Sequence, residues 1–303
     1  MVGSLLRWLV RILGFSQDHS APGSPVATPL PEELAEKPPA STWRFLSACV
    51  RGTSHVNDGL PCQDYALVRE TWLAGESLLI AVCADGAGSA KHAEIAARMA
   101  CEKSLAVIQR SVRRISRRGL DETALSEEDV KQCFLQARRR LEAQAETDGT
   151  PLREYACTLL IAVVAPQFAL FGQLGDGAIV LDIVGDEMQT VFWPRRGEYA
   201  NTTWFLSGTD WESQVQIDRR SSELRHLAML TDGLQPLALD DSRKRPHAPF
   251  FAPMFRALHG QVDVKQFQAP FRAFLESNDV NDRTDDDKTL ILASRLARHD
   301  SAD

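Results

Sequence analysis

Three times along this 303-residue chain an apolar run ends in aspartate followed by glycine. Leu78 to Ala84 runs into Asp85-Gly86, Leu170 to Gly175 into Asp176-Gly177, and Leu227 to Thr231 into Asp232-Gly233. A further acidic cluster, Asp285-Asp286-Asp287, stands directly before the apolar stretch that opens at Lys288-Thr289. An aspartate at the end of a buried strand projects into whatever cleft the strand ends share, and the glycine after it permits a tight turn. Taken singly, each such aspartate reads as an ordinary turn residue or cap. Taken together they point to cation chemistry. Carboxylates brought close repel unless a positive charge lies between them, and hard oxygen ligands suit Mg2+ or Mn2+ rather than zinc.

Other chemistries have less support. The six cysteines (Cys49, Cys62, Cys83, Cys101, Cys133 and Cys157) form no C-x-x-C pair and have no histidine at ligand spacing. That argues against a zinc site or disulfide framework and for reduced thiols in a cytoplasmic setting. The formal net charge is -7, from 34 basic and 41 acidic residues, so the basic footprint of a nucleic-acid binder is missing.

The elements that must position these aspartates follow from periodicity. Residues 43–51, 64–70 and 78–84 read as strands, 90–114 as a long helix with Ala93, Ala96, Ala97 and Ala100 on one side, and Ser126 as the capping-box start of a second helix to about Glu146. Strands are expected again at 156–165, 167–172, 178–184, 187–192 and 226–230, a broken helical region at 246–274 and a last strand at 288–293. Strands, helices, strands, then helix and strand is an α+β order. Residues 42–296 form the expected domain, preceded by a proline-rich linker at 16–41 and followed by a polar tail at 297–303. Residues 1–15 are amphipathic but too short and too charged to span a membrane; they read as a helix docking on the domain or a partner, with membrane-surface contact as the alternative.

The order of motifs resembles the metal-dependent type 2C serine/threonine protein phosphatases, in their bacterial branch. Gly52-x-x-His55 followed by Cys62-Gln63-Asp64 looks like the opening motif, and Asp85-Gly-Ala-Gly-Ser-Ala-Lys-His-Ala-Glu94-Ile-Ala96 is similar to the Asp-Gly-Met-Gly-Gly-His signature. Thr158-Leu-Leu-Ile-Ala, Gly175-Asp176-Gly177, Thr231-Asp232-Gly233 and Asp286-Asp287-Lys288-Thr289 follow in the family's order, with Asp176 reading equally as a residue near the metal cleft that the resemblance implies or as a plain strand-end turn.

The resemblance implies a four-layer α-β-β-α sandwich with two central antiparallel sheets and two ions, Mn2+ or Mg2+, in the cleft between them. It implies that Asp85 bridges the metals with the Gly86 carbonyl on one, that Asp232 and Asp286 complete the second, and that Asp64 holds metal-bound water. The implied reaction is hydrolysis of phosphoserine and phosphothreonine in proteins by metal-activated water, with a phosphorylated protein as substrate and a cognate serine/threonine kinase as partner. Departures are specific. Gly59 stands where the family has its phosphate-binding arginine, with Arg51 or His55 as possible replacements. Ala90 replaces the signature histidine, with Lys91 and His92 close behind, Arg153 replaces the usual third-metal aspartate, and Asp287, which like Asp285 reads from the residues as a solvated turn position, would fill an asparagine position. These losses keep a second reading open: a pseudophosphatase that binds a phosphoprotein or kinase without efficient turnover.

Overall fold

In the computed structural model, which describes residues 42–194, 203–221, 223–260 and 263–296, the apolar runs become two stacked antiparallel sheets. The segments 1–15 and 16–41 and the tail 297–303 lie outside the described residues. One sheet contains β1 (Trp43–Val50), β6 (Ala178–Ile183), β8 (Leu224–Leu230) and β9 (Lys288–Arg295), in the order β1-β9-β8-β6, with the short strand Gln189–Thr190 at its edge. The other contains β2 (Tyr65–Leu73), β3 (Glu76–Ala84), β4 (Leu159–Val164), β5 (Ala169–Leu174) and β7 (Gln216–Arg220), in that order.

The strands read as near-continuous apolar runs because both faces of each sheet are covered. In β3, Leu79, Ala81 and Cys83 pack between the sheets against Ile179, Met229 and Ile291. The alternate residues Leu78, Ile80 and Val82 meet the outer helices α1 (Ala93–Arg117) and α2 (Glu127–Thr147). On the far side Val180, Ala228 and Leu290 face α3 (Ala248–His259) and α4 (Val264–Leu275), whose Phe251, Phe255, Phe267 and Phe271 fill that layer. The result is the expected α-β-β-α sandwich, with three apolar layers of which the middle one is held by side chains of both sheets. The period of two matters for chemistry: Asp85 continues the 79-81-83 row and so leaves β3 on the inter-sheet side.

The expected start of α2 is present, with the Ser126 amide donating to Asp129 Oδ2 at 3.0 Å. One strand escaped the sequence reading. In β7 only Ile217 is apolar among Gln-Ile-Asp-Arg-Arg, and it joins the sheet by pairing along β5 from Gln173↔Gln216 to Ala169↔Arg220.

Candidate active site

The aspartates meet at one end of the sandwich because backbone and hydroxyl bonds tie the strand ends together. The Asp85 amide donates to Thr158 Oγ1 at 2.9 Å and the Thr158 amide returns to the Asp85 carbonyl at 2.8 Å, so β3 and β4 fix Asp85 from both directions. The Gly86 amide donates to the Gln63 carbonyl at 3.2 Å, joining this turn to the start of β2. Thr231, at the end of β8, is the second tie. Its hydroxyl donates to Asp64 Oδ2 at 2.7 Å and accepts from the Thr289 amide at 3.1 Å. One hydroxyl thereby links three segments remote in sequence.

Two glycines are required by this geometry. Gly175 sits at φ +107, a left-handed conformation costly for any residue with a Cβ, and its turn presents Asp176. Gly233 passes so close to the Asp287 carbonyl that a Cβ would overlap it.

Carboxylate oxygens of Asp85, Asp176 and Asp232 lie within 4.8 Å of one another. Asp176 is thus drawn into the tightest group, a place the sequence reading left open between cleft and plain turn. Its carboxylate also accepts from Thr203 Oγ1 at 2.5 Å. Asp286 stands just outside this trio at the foot of β9, with Oδ1 accepting from the Asp287 amide at 2.8 Å, and its charge acts on both Asp85 and Asp232. Asp64 is only 5% exposed; Oδ2 is bound to Thr231 and Oδ1 is buried with no hydrogen-bond partner.

Electrostatics follow from this crowding. Burial, reinforced by the charges of Asp64 and Asp232, pushes the Asp85 carboxyl well above its ordinary range. Burial followed by Asp176 and Asp286 lifts Asp232 to about 6. Asp64 is raised well above normal by burial against the opposing Thr231 bond, and Asp286 is raised mainly by burial. Among the described residues no lysine or arginine is hydrogen-bonded to Asp64, Asp85 or Asp232. A buried anionic cluster of this kind holds protons or takes in cations. The oxygen-only donor set, the crowding and the orphaned Asp64 Oδ1 all fit a hard divalent ion.

Two residues at the edge of the site stand in contact with each other, and the first of them corrects a reading. Asp287, read from sequence as a solvated turn residue, is 2% exposed. Its Oδ1 accepts from the Gly52 amide at 2.6 Å and its Oδ2 from the Gln63 amide at 2.5 Å, bracing the opening motif against β9. A carboxylate can accept both amides at once, which is a physical use for aspartate in the asparagine position. The second concerns His55, one of the two candidates to replace the missing arginine: its Nδ1 lies 2.9 Å from Asp287 Oδ2. Arg51 is exposed and reaches the Leu60 carbonyl at 3.2 Å. Lys91 is exposed beyond buried Ala90, its amide donating to Glu154 Oε2 at 3.2 Å.

Replacing Asp287 by alanine leaves two buried amides without acceptors. Each orphaned donor costs about 1–3 kcal/mol, so Asp287→Ala is expected to lose about 3 kcal/mol of unfolding free energy, seen as a lower urea midpoint at unchanged slope.

Comparison with known proteins agrees with this fold. The family model for protein phosphatase 2C matches residues 51–276. Serine/threonine-protein phosphatase 3 of Escherichia coli (strain K12) is 36% identical over 255 residues, covering 83% of this chain and 98% of that protein. Among solved structures, the serine/threonine phosphatase Stp1 from Staphylococcus aureus matches with a TM-score of 0.53 at 15% identity, over 84% of this chain and 95% of that one. PppA, a key regulatory component of T6SS in Pseudomonas aeruginosa, matches with a TM-score of 0.54 at 15% identity, over 84% and 99% of the two chains. At such identities these two structures speak for the fold alone.

Proposed function

The chain belongs to the protein phosphatase 2C family and is a protein serine/threonine phosphatase, and from that premise we propose that it hydrolyses phosphoserine and phosphothreonine with two divalent cations, Mn2+ or Mg2+, held by the strand-end aspartates of a domain spanning residues 42–296. The observation that supports this most is the convergence of carboxylates from the ends of β3, β5, β8 and β9 on one cleft, where among the described residues no lysine or arginine is hydrogen-bonded to Asp64, Asp85 or Asp232. In this reading Asp85, the Gly86 carbonyl, Asp232 and Asp286 are ligands, Asp176 joins them, and Asp64 orients water from the outer shell. Bound cations supply Lewis acidity, activating water and offsetting charge on the phosphoryl oxygens.

The chain's own residues do the positioning. Thr158 holds the Asp85 backbone, and Thr231 presents Asp64 with one oxygen engaged and the other open. The sheets exclude bulk solvent behind the cluster, so each charge acts at lower effective dielectric. A cysteine nucleophile is disfavoured. All six cysteines are free thiols, and the one nearest β9, Cys49, is pushed up to about 12 chiefly by burial. Four others, Cys83, Cys101, Cys133 and Cys157, are fully enclosed. Thiolate is the reactive form, and it is scarce here at neutral pH. The thiols also favour a reducing, cytoplasmic setting, and no described helix is long and apolar enough to cross a membrane. A cognate kinase remains part of the proposal through family membership alone, and the binding-only reading gains no support from the relatives.

Incubation with a phosphothreonine peptide and with p-nitrophenyl phosphate in excess Mn2+ tests the reading. Phosphate release from both, lost on chelation and restored by Mn2+, is expected; release that persists in chelator would refute the metal assignment.

A further inference from the structure

Residues 203–208 form neither helix nor strand, yet they run beside the acidic cleft and are held there at several points. At the start of the segment the half-buried Thr203 donates its hydroxyl to Asp176 Oδ2 at 2.5 Å. Phe205 packs on Ala87, Ala90, Ala93 and Ala156, the small residues around the loop that follows Asp85. The Leu206 amide donates to the Cys157 carbonyl at 2.9 Å, one residue before the Thr158 that holds Asp85. The last hold comes from outside the cleft. Arg138 of α2 donates through Nη1 to the Leu206 carbonyl at 2.6 Å and to the Gly208 carbonyl at 2.5 Å.

Arg138 is itself braced, its Nε pairing with Glu142 at 2.7 Å and its guanidinium lying 5.7 Å from the centre of the Trp211 ring. A planar fork of donors fixes direction as well as distance. A segment with no hydrogen-bonded ladder of its own depends on such outside bonds for its conformation. The cleft meanwhile uses one device twice. Thr231 donates to Asp64 and Thr203 donates to Asp176, in each case through a neutral hydroxyl. A hydroxyl orients a carboxylate without cancelling its charge, whereas a lysine or arginine in the same place would compete with a cation.

We infer that Thr203 and Arg138 are positioning residues of the acidic cleft: Arg138 latches residues 206–208 onto α2, the segment delivers the Thr203 hydroxyl to Asp176, and that bond sets the orientation in which the Asp176 carboxylate meets a cation. This rests on the metal reading of the cleft and adds two residues to it, one of them on a helix that carries no proposed ligand. Outer partners that orient a metal ligand typically matter 10–100-fold in metal affinity, so the effect is large enough to measure on binding itself.

The test is calorimetric titration of Mn2+ into the metal-free full chain and its variants. Thr203→Val keeps the side-chain shape and loses the hydroxyl; it is expected to raise the Mn2+ Kd about tenfold. Thr203→Ser keeps the hydroxyl and is expected to stay within about twofold of wild type. Arg138→Met is expected to raise Kd about threefold alone and by less than about 1.5-fold when Thr203→Val is already present, because the latch then has no hydroxyl to deliver. The Thr203 pair decides the inference even where Arg138→Met lowers the melting temperature. A wild-type Kd in Thr203→Val, or Thr203→Ser binding as weakly as Thr203→Val, overturns it. An Arg138→Met loss of equal size in both backgrounds overturns the coupling and leaves Arg138 a structural residue only. No uptake of Mn2+ by the wild-type protein overturns the metal reading of the cleft and this inference with it.

Discussion

Asp85→Asn is expected to lower kcat at least about a thousandfold for p-nitrophenyl phosphate and the phosphothreonine peptide alike, while making the metal-free protein more stable at neutral pH. The first effect follows from position. Asp85 stands at the centre of the carboxylate group, near Asp176 and Asp232 and within the field of Asp64 and Asp286. A metal clamp supplies several kcal/mol of transition-state stabilisation, and about 4 kcal/mol corresponds to three decades in rate. The second effect has the opposite sign and comes from the same crowding. Burial and neighbouring charges oppose ionisation of Asp85, so a neutral isostere relieves repulsion that the folded chain otherwise bears. A residue that served only to hold the fold would lose activity and stability together. Loss of activity with a gain of about 1–2 kcal/mol in metal-free stability is the signature of a ligand held under strain, and thermal melts beside steady-state kinetics read both.

Metal removal is the second large effect, and it depends on pH. Burial, then neighbouring carboxylates, raise Asp85 well above its ordinary range and bring Asp232 to about 6. Asp64 and Asp286 are raised too, by burial first. The unfolded chain titrates these groups near pH 4, so between about pH 4 and each folded value the native state binds more protons than the unfolded one. Their contribution is therefore complete below about pH 4 and is lost as pH rises through the folded values, which for Asp232 means near pH 6. For Asp232 alone the change is on the order of 3 kcal/mol. Divalent cation binds the deprotonated native cluster and adds about 2.7 kcal/mol at a concentration a hundredfold above Kd.

The Mn2+-induced rise in Tm should accordingly be small near pH 4.5 and largest above pH 7. Other groups titrate in the opposite sense. His226 is pushed down to about 4, first by burial, and Asp129 is held low despite its burial by bonds from Ser111, Ser126 and Arg114. Both act equally with and without metal, so the difference between the two melts isolates the cluster. A difference that is flat across pH would mean that the cation does not bind these carboxylates.

What could be read from the chain divides along physical lines. The β3, β8 and β9 runs were legible because strands covered on both faces are apolar throughout, and their ends carry the aspartates. Asp85, Asp232 and Asp286 were named from that pattern, and the resemblance added Asp64; the structure brings all four to one end of the sandwich. Asp287 was misread because its burial is decided by amides of Gly52 and Gln63, more than two hundred positions away in sequence. Asp176 remained ambiguous until the turn at Gly175 showed where its side chain goes. The polar strand β7 owes its conformation to the backbone of β5, which supplies pairing that its own residues do not advertise.

The whole account depends on divalent cations being the reason that these acidic groups are gathered and buried. An anomalous difference map from crystals grown at neutral pH with Mn2+ tests this directly. Two peaks in the cleft are predicted, both within coordination distance of Asp85, with Asp232 and Asp286 on one of them. An empty cleft with its carboxylates bonded to one another, or Mn2+ only at sites elsewhere on the surface, would contradict it.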